Sequence, residues 1–143
     1  MADIKMTSTW TGGFKGEGKI TGEGWDVGIG IPTELGGSGA GADPKSLFTA
    51  STLACFTATL RAITEGKKVP VETISVDTDA QAGDDDFAIR HVARVTLTAG
   101  SSDADTAAAE AAIERADAIC AVGNIARKAG VTIAVEADVR VAA

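Results

Sequence analysis

Hydrophobic and polar residues alternate in short bursts over the first third of the chain, a period of two that is typical of half-buried strands. The alternating runs are IKMTSTW, GKITGEG and WDVGIGI, and glycine-rich turns separate them. We therefore predict a three-stranded meander over residues 1–35. The next segment, 36–42, is predicted to be a loop, because its four glycines favour neither a strand nor a helix.

A helical spacing of apolar residues begins at Asp43-Pro44 and stops at Gly66, which predicts a helix over 43–66. The Asp43 carboxylate can accept hydrogen bonds from the first turn, and proline at the first helical position loses no helical bond. Small or apolar residues occupy nearly every face of this helix. We expect it to be buried all round, which in so short a chain needs a wrapping sheet or a second chain.

Alternation returns in VETISVDTDAQ and DFAIRHVARVTLTA, which the acidic turn AGDDD joins into a predicted hairpin over 71–99. An alanine-rich segment predicts a helix over 103–120, capped by Asp103 or Asp105, and a last alternating run predicts a strand over 131–141. This order predicts the α+β class, with a mostly antiparallel sheet covering two helices.

The composition narrows the possible functions. With 143 residues, 45% of them hydrophobic, the chain is expected to form one domain with its own core. Its formal net charge of -7 repels phosphate, so we expect no nucleic-acid partner. No signal peptide is visible, and no apolar run approaches the roughly 20 residues that span a bilayer. We expect a cytoplasmic protein without a membrane partner, whose cysteines are either inert or redox-active.

The candidate chemistry lies in two cysteines, Cys55 in the first predicted helix and Cys120 in the second. If the apolar faces of these helices pack together, the two thiols can come close, although their spacing does not prove it. A lone histidine, His91, and two distant cysteines lack the ligand number and spacing of a zinc site. We expect no metal and no cofactor, and we expect His91 to be a surface residue of a strand.

Three stretches carry a resemblance: GAGADPKSLFTASTLACF, AICAVGN and VTIAVEADVRV. Together they resemble the OsmC/Ohr family of osmotically inducible and organic hydroperoxide resistance proteins, in the family's element order and over essentially the whole chain. The resemblance implies an intertwined homodimer, in which antiparallel sheets of both chains wrap two central helices. That arrangement would account for the apolar helix at 43–66.

The resemblance also implies a function. Cys55 would attack a hydroperoxide and become a sulfenic acid, Cys120 would resolve it as a disulfide, and an external dithiol would reduce that disulfide without a cofactor. The competing interpretation is a non-enzymatic dimer that binds a small apolar ligand and keeps both cysteines as packing residues. The reactivity of Cys55 discriminates between the two.

The chain departs from the family pattern near the reactive thiol. The family commonly has a glutamate near the reactive thiol together with an arginine from the N-terminal meander. Here Lys45 stands at the position of the glutamate, and no arginine precedes Arg61. Ala121 follows Cys120 where the family commonly has proline. A thiolate needs nearby positive charge or a helix dipole, so we predict that Lys45 supplies the charge to Cys55. In an unbroken helix the two would be about 15 Å apart, so the idea needs a helix break or a Lys45 from a second copy.

Three further residues, Phe48, Phe56 and Glu34, are candidates for the substrate side of the site. Phe48 and Phe56 flank Cys55 and could form an apolar wall for an alkyl hydroperoxide, although core packing is the commoner fate of such residues. Glu34, in the glycine-rich region, either orients Lys45 or faces water.

Overall fold

The computed structural model describes residues Met1–Ala143 and has the predicted α+β class. By its contacts the chain forms two compact units, Met1–Phe48 and Thr49–Ala143. The elements in chain order are β1 (Thr7–Thr11), β2 (Glu17–Gly22), β3 (Trp25–Ile29), a 3-10 turn (Thr33–Leu35), α1 (Pro44–Gly66), β4 (Val71–Ala82), β5 (Phe87–Leu97), α2 (Asp103–Ile119), α3 (Ala121–Lys128) and β6 (Thr132–Val141).

The first unit is a three-stranded antiparallel sheet in the order β1-β2-β3, and its strands overlap with the three alternating runs of the sequence. A two-residue turn joins β2 to β3, with Gly22 opposite Trp25 and with Gly24 in the left-handed region at φ 81°. Glycine adopts that backbone conformation without the steric cost that other residues have. Most side chains of this sheet are exposed, including Trp10 and Trp25.

The start of α1 follows from its first residues. The Asp43 carboxylate accepts hydrogen bonds from the Ser46 hydroxyl and from backbone N–H groups of the first turn, and the Ser46 hydrogen bond is the main cause of its lowered pKa. The Asp43 carbonyl accepts from the N–H of Leu47 at 3.0 Å. Asp43 therefore caps the helix, and α1 continues without a break to Gly66.

The second unit contains a three-stranded sheet in the order β4-β5-β6. Strands β4 and β5 form the antiparallel hairpin, whereas β5 and β6 are parallel. A parallel pair needs a crossover connection, and α2 and α3 supply it. The expectation of a mostly antiparallel arrangement therefore holds for β1 to β5 and needs correction at β6.

The second helical region differs from its sequence prediction at both ends. Ser102, rather than Asp103 or Asp105, is the N-cap: its hydroxyl accepts from the Asp105 N–H, while the Asp105 carboxylate accepts from the Ser102 N–H. This reciprocal pair is a capping box. At the other end α2 stops at Ile119, Cys120 leaves the helical path with ψ 108°, and α3 begins at once. Helix α3 is an element that was not predicted from the sequence.

The core of the second unit lies between the inner face of β5 and the helices. It contains Phe56, Leu60, Val95, Leu97, Ala109, Ile113, Ala116 and Cys120. From α1 only a stripe at every fourth position is buried, namely Thr52, Phe56, Leu60 and Thr64. The expectation that α1 is buried all round is therefore not met within one chain, which leaves apolar surface of α1 exposed.

Helix α1 is the one helix long and apolar enough, by length and composition, to cross a membrane, with a mean hydropathy of 1.2. The expectation that no segment reaches this length needs correction, because threonines and serines interrupt the apolar run without removing its overall hydropathy. One such helix is weak evidence for a membrane, since core helices of soluble proteins have the same length and composition.

Candidate functional site

Cys55 lies in the middle of α1 and is half-buried, one turn before Thr59. The Thr59 hydroxyl and the backbone N–H groups of Ala121 and Val122 lie close enough to the Cys55 sulfur to lower its pKa. Residues four apart on a helix are neighbours, which is why Thr59 reaches the thiol. The other two donors belong to α3, so two helices supply the polar contacts of Cys55.

Cys120 lies at the junction between α2 and α3 and is 3% exposed. Cys55 packs against the core cluster that contains Cys120, the two thiols shift each other's pKa, and both cysteines are free. The structure therefore brings together the two thiols that the sequence placed on separate helices. Gly123 leaves the room for this contact, because a Cβ atom there would lie 3.3 Å from the Cys120 Sγ.

The two thiols are electrostatically different. Burial raises the pKa of Cys55, but the hydrogen bonds from Val122, Cys120, Thr59 and Ala121 outweigh it and leave that pKa below its ordinary value. Burial, together with the hydrogen bond to Cys55, raises the pKa of Cys120 to about 11. Cys55 therefore ionises first, while Cys120 keeps its proton and donates it.

The N–H groups that face Cys55 belong to the first turn of α3. Such groups have no partner within their own helix and carry the positive end of its dipole, so they stabilise an anion. The first helical bond of α3 runs from the Asn124 N–H to the Cys120 carbonyl at 2.9 Å, which leaves the N–H groups of Ala121 and Val122 available. A proline at 121 would lack one of these donors.

The prediction that His91 lies on the surface is wrong. His91 is 1% exposed, stacks on Phe56 with a centroid distance of 5.3 Å and shares a 2.8 Å hydrogen bond between its Nδ1 and the Thr78 Oγ1. The alternation of β5 gave a usable signal, because Ile89 and Ala93 have the same parity and are also buried. Burial lowers the pKa of His91, which keeps the imidazole neutral.

The ring of Phe56 packs on His91 in the core, and Phe56 is 1% exposed. Phe48 is 38% exposed and lies in the first unit, as do Lys45 and Glu34. Glu34 is exposed in the 3-10 turn, beside an open cleft of about 240 Å³ that Asp43 also lines. The helix break that the Lys45 prediction allowed is absent, so a Lys45 from a second copy stays a prediction.

Two residues of the second unit, Asn124 and Arg127, were missed by the sequence analysis. Both lie in α3, whose side chains hydrogen-bond to α2 around the Cys120 junction. The charge of Arg127 also opposes the rise of the Cys120 pKa. No group of three His, Cys, Asp or Glu side chains lies close enough to hold a metal ion.

The chain has an α+β fold and two free thiols, and the pKa of one of them, Cys55, is lowered. A family model described as OsmC-like protein matches residues 36–136. The chain therefore belongs to the OsmC-like family, as the three quoted stretches of sequence predicted.

Similar proteins support this family and its fold. Organic hydroperoxide resistance proteins of Xanthomonas axonopodis pv. citri and Xanthomonas campestris pv. phaseoli are each 29% identical over 123 residues, which is 84% of either chain. The crystal structure of an organic hydroperoxide resistance protein from Legionella pneumophila has a TM-score of 0.60 at 22% identity, with complete coverage of both chains. An OsmC-like protein of Vibrio cholerae has a TM-score of 0.76 at 14% identity, covering 96% of this chain and 99% of its own.

Proposed function

We propose that this protein is a cysteine-based thiol peroxidase that reduces organic hydroperoxides, with Cys55 as the attacking thiol and Cys120 as the resolving thiol. The observation that carries the proposal is the contact between two thiols whose pKa values are shifted in opposite directions. The name of the Xanthomonas relatives, organic hydroperoxide resistance protein, supports the substrate class.

In the first step the Cys55 thiolate attacks the distal oxygen of a hydroperoxide ROOH. A sulfur–oxygen bond forms, the oxygen–oxygen bond breaks, and the alkoxide leaves and takes up a proton to become ROH. Cys55 is then a sulfenic acid, oxidised by two electrons, and the hydroperoxide is reduced by two. The hydrogen bonds to the Cys55 sulfur favour this step, because the thiolate is the nucleophile.

In the second step the Cys120 sulfur attacks the sulfenic sulfur of Cys55. A disulfide forms, and the sulfenic hydroxyl leaves with the thiol proton of Cys120 as water. The raised pKa of Cys120 keeps that thiol protonated until Cys55 has become an electrophile. An external dithiol then reduces the disulfide by exchange and is itself oxidised to a disulfide, which returns both thiols.

The decisive experiment measures the consumption of tert-butyl hydroperoxide by the pre-reduced protein with dithiothreitol as the reductant. We expect turnover by the wild type, none by Cys55→Ser, and oxidation of Cys120→Ser without an intramolecular disulfide. Mass spectrometry of the oxidised wild type should show a linked Cys55–Cys120 peptide pair. Retention of turnover by Cys55→Ser, or inert thiols in the wild type, would overturn the proposal in favour of a binding protein.

We also propose that the active form is a homodimer, because the exposed apolar surface of α1 needs a cover. In such a dimer a Lys45 from the second copy can approach Cys55, with Phe48 as an apolar wall for the substrate and Glu34 as a partner that orients Lys45. Light scattering tests the dimer, and an active monomer would exclude it.

The role of Lys45 is tested by the pH dependence of Cys55 alkylation in Lys45→Met, which keeps an unbranched side chain without the charge. A pKa of Cys55 higher by about one unit, a tenfold loss of thiolate at neutral pH, is expected if the lysine contributes. An unchanged profile would leave the activation of Cys55 to α3 and the two side-chain donors.

A further inference from the structure

Helices α2 and α3 meet at Cys120 without a linker, and side chains of α3 bind the last turn of α2. The Asn124 Nδ2 donates to the carbonyl of Ala118 at 3.0 Å, and the Arg127 Nη1 donates to the carbonyl of Asp117 at 3.3 Å. Carbonyls in the last turn of a helix have no partner within it. Asn124 and Arg127 therefore act as a C-terminal cap for α2 that comes from the next helix.

The guanidinium of Arg127 makes further bonds. Its Nη2 donates to the Asp117 Oδ1 at 2.6 Å and to the carbonyl of Ile133 in β6 at 3.1 Å, and its Nη1 donates to the Asn124 Oδ1 at 3.2 Å. The side chains of Arg127 and Asp117 are each 31% exposed, so this ion pair is partly shielded from water. One planar fork thus joins α2, α3 and β6 around the Cys120 junction.

We propose that Arg127 and Asn124 are positioning residues, which hold the first turn of α3 so that its N–H groups face the Cys55 sulfur. We call this set of contacts among Asp117, Ala118, Asn124, Arg127 and Ile133 the junction clamp. This proposal rests on the proposed function, because the direction of these N–H groups matters only if Cys55 reacts as a thiolate.

The direction of α3 is the quantity that the clamp controls. A hydrogen bond weakens steeply as its angle falls, so a small tilt of α3 is enough to misdirect the N–H groups of Ala121 and Val122. A lysine at 127 would keep the charge but has no fork of donors to reach two backbone carbonyls and a carboxylate together. We therefore expect the fork geometry of the arginine side chain, rather than its charge alone, to hold α3 in its direction.

The test uses Arg127→Met, Arg127→Lys and Asn124→Ala, with Arg90→Met as the matched control. Arg90 forms an ion pair with Glu136, and the side chains of both residues are more than half exposed. Each reduced protein is alkylated with iodoacetamide between pH 5 and pH 10, and the Cys55 peptide is quantified by mass spectrometry. Urea unfolding of the same proteins gives their stability separately.

We expect Arg127→Met to raise the pKa of Cys55 and to slow its alkylation at pH 7 by about three- to tenfold, the change that half a unit to one unit produces. Arg127→Lys should not restore the wild-type profile, and Asn124→Ala should shift it in the same direction by less. Arg90→Met should leave the profile unchanged.

The opposite outcomes overturn the proposal. If both Arg127→Met and Asn124→Ala lose stability but keep the wild-type alkylation profile, the clamp is structural only. If Arg127→Lys restores the profile, the charge acts directly and the positioning role is wrong. Should Arg127→Met fail to fold, Asn124→Ala decides, because it removes the contacts of Asn124 with the Ala118 carbonyl and with Arg127 but no charge. Since alkylation uses no hydroperoxide, a failure of the peroxidase activity is seen separately in the turnover assay.

Discussion

The buried His91 should make the stability of this protein depend on pH below neutrality. It is the sole histidine, and its surroundings hold it neutral: burial is the main cause of its lowered pKa, Arg127 adds to the lowering, and Asp117 opposes it. The stacked ring of Phe56 and the hydroxyl of Thr78 offer no negative charge to an imidazolium. Protonation in the folded state is therefore disfavoured relative to the unfolded chain.

The sign and size of the effect follow from proton linkage. The folded pKa lies below the unfolded value of about 6.5, so the unfolded chain binds the proton first as the pH falls. The stability contributed by neutral His91 is fully present above pH 6.5. Below it, that stability is lost by at most about 1.4 kcal/mol per pH unit, until the folded pKa is reached.

The perturbation is His91→Gln, which keeps an amide able to bond Thr78 but removes the titrating ring. Urea unfolding is followed by circular dichroism at pH 7.5, 6.5 and 5.5, at one fixed protein concentration so that any association is constant. The variant should be less stable at pH 7.5, because it loses the stack on Phe56. Its deficit should shrink between pH 7.5 and pH 5.5, by at most about 1.4 kcal/mol.

A deficit that stays constant over this range would refute the reasoning. So would an NMR titration of the single imidazole with a midpoint at or above about 6.5, the value of an unperturbed histidine. Carboxylates cannot imitate the expected change, because both proteins contain the same ones and the comparison is a difference.

Two further substitutions test the environment of the thiols. Ala121→Pro should raise the pKa of Cys55 by about one unit, measured by the pH dependence of alkylation, because it removes one N–H donor to a charged sulfur. The variant should fold, because proline suits the first turn of a helix and the ψ of 108° at Cys120 suits a residue before proline. An unchanged pKa in the folded variant would show that this N–H contributes nothing. Gly123→Ala should slow formation of the Cys55–Cys120 disulfide, because its Cβ atom would press on the Cys120 Sγ at 3.3 Å. Disulfide formation is followed by mass spectrometry after a pulse of hydroperoxide. A wild-type rate would show that the sulfur moves aside without cost.

Much of the fold could be predicted from local patterns. Alternation located the strands, and the Asp43-Pro44 start and Gly66 stop located α1, because caps and turns depend on residues close in sequence. The parallel partnership of β5 and β6 could not be found in this way. It depends on how α2 and α3 carry the chain back across the sheet, and no local pattern records that route.

The helix break at Cys120 is the part of the site that could not be predicted from the sequence. The segment ADAICAVGN has no proline at the break, and its only glycine, Gly123, lies inside α3. The break is fixed by tertiary contacts, in which Asn124 and Arg127 bind carbonyls of α2 that a continuous helix would have occupied itself. A pattern of helix formers therefore predicted one helix where the packing makes two.

That break offers donors to the Cys55 thiolate in a chain in which no arginine precedes Arg61. A continuous helix through Cys120 would use the N–H groups of residues 121 and 122 in its own hydrogen bonds. Because the helix stops, those groups turn to the Cys55 sulfur, and the Cys120 thiol becomes a third donor beside them. In the proposed mechanism the contact that stabilises the Cys55 thiolate is then also the contact that becomes the disulfide, so activation and resolution depend on the same local geometry.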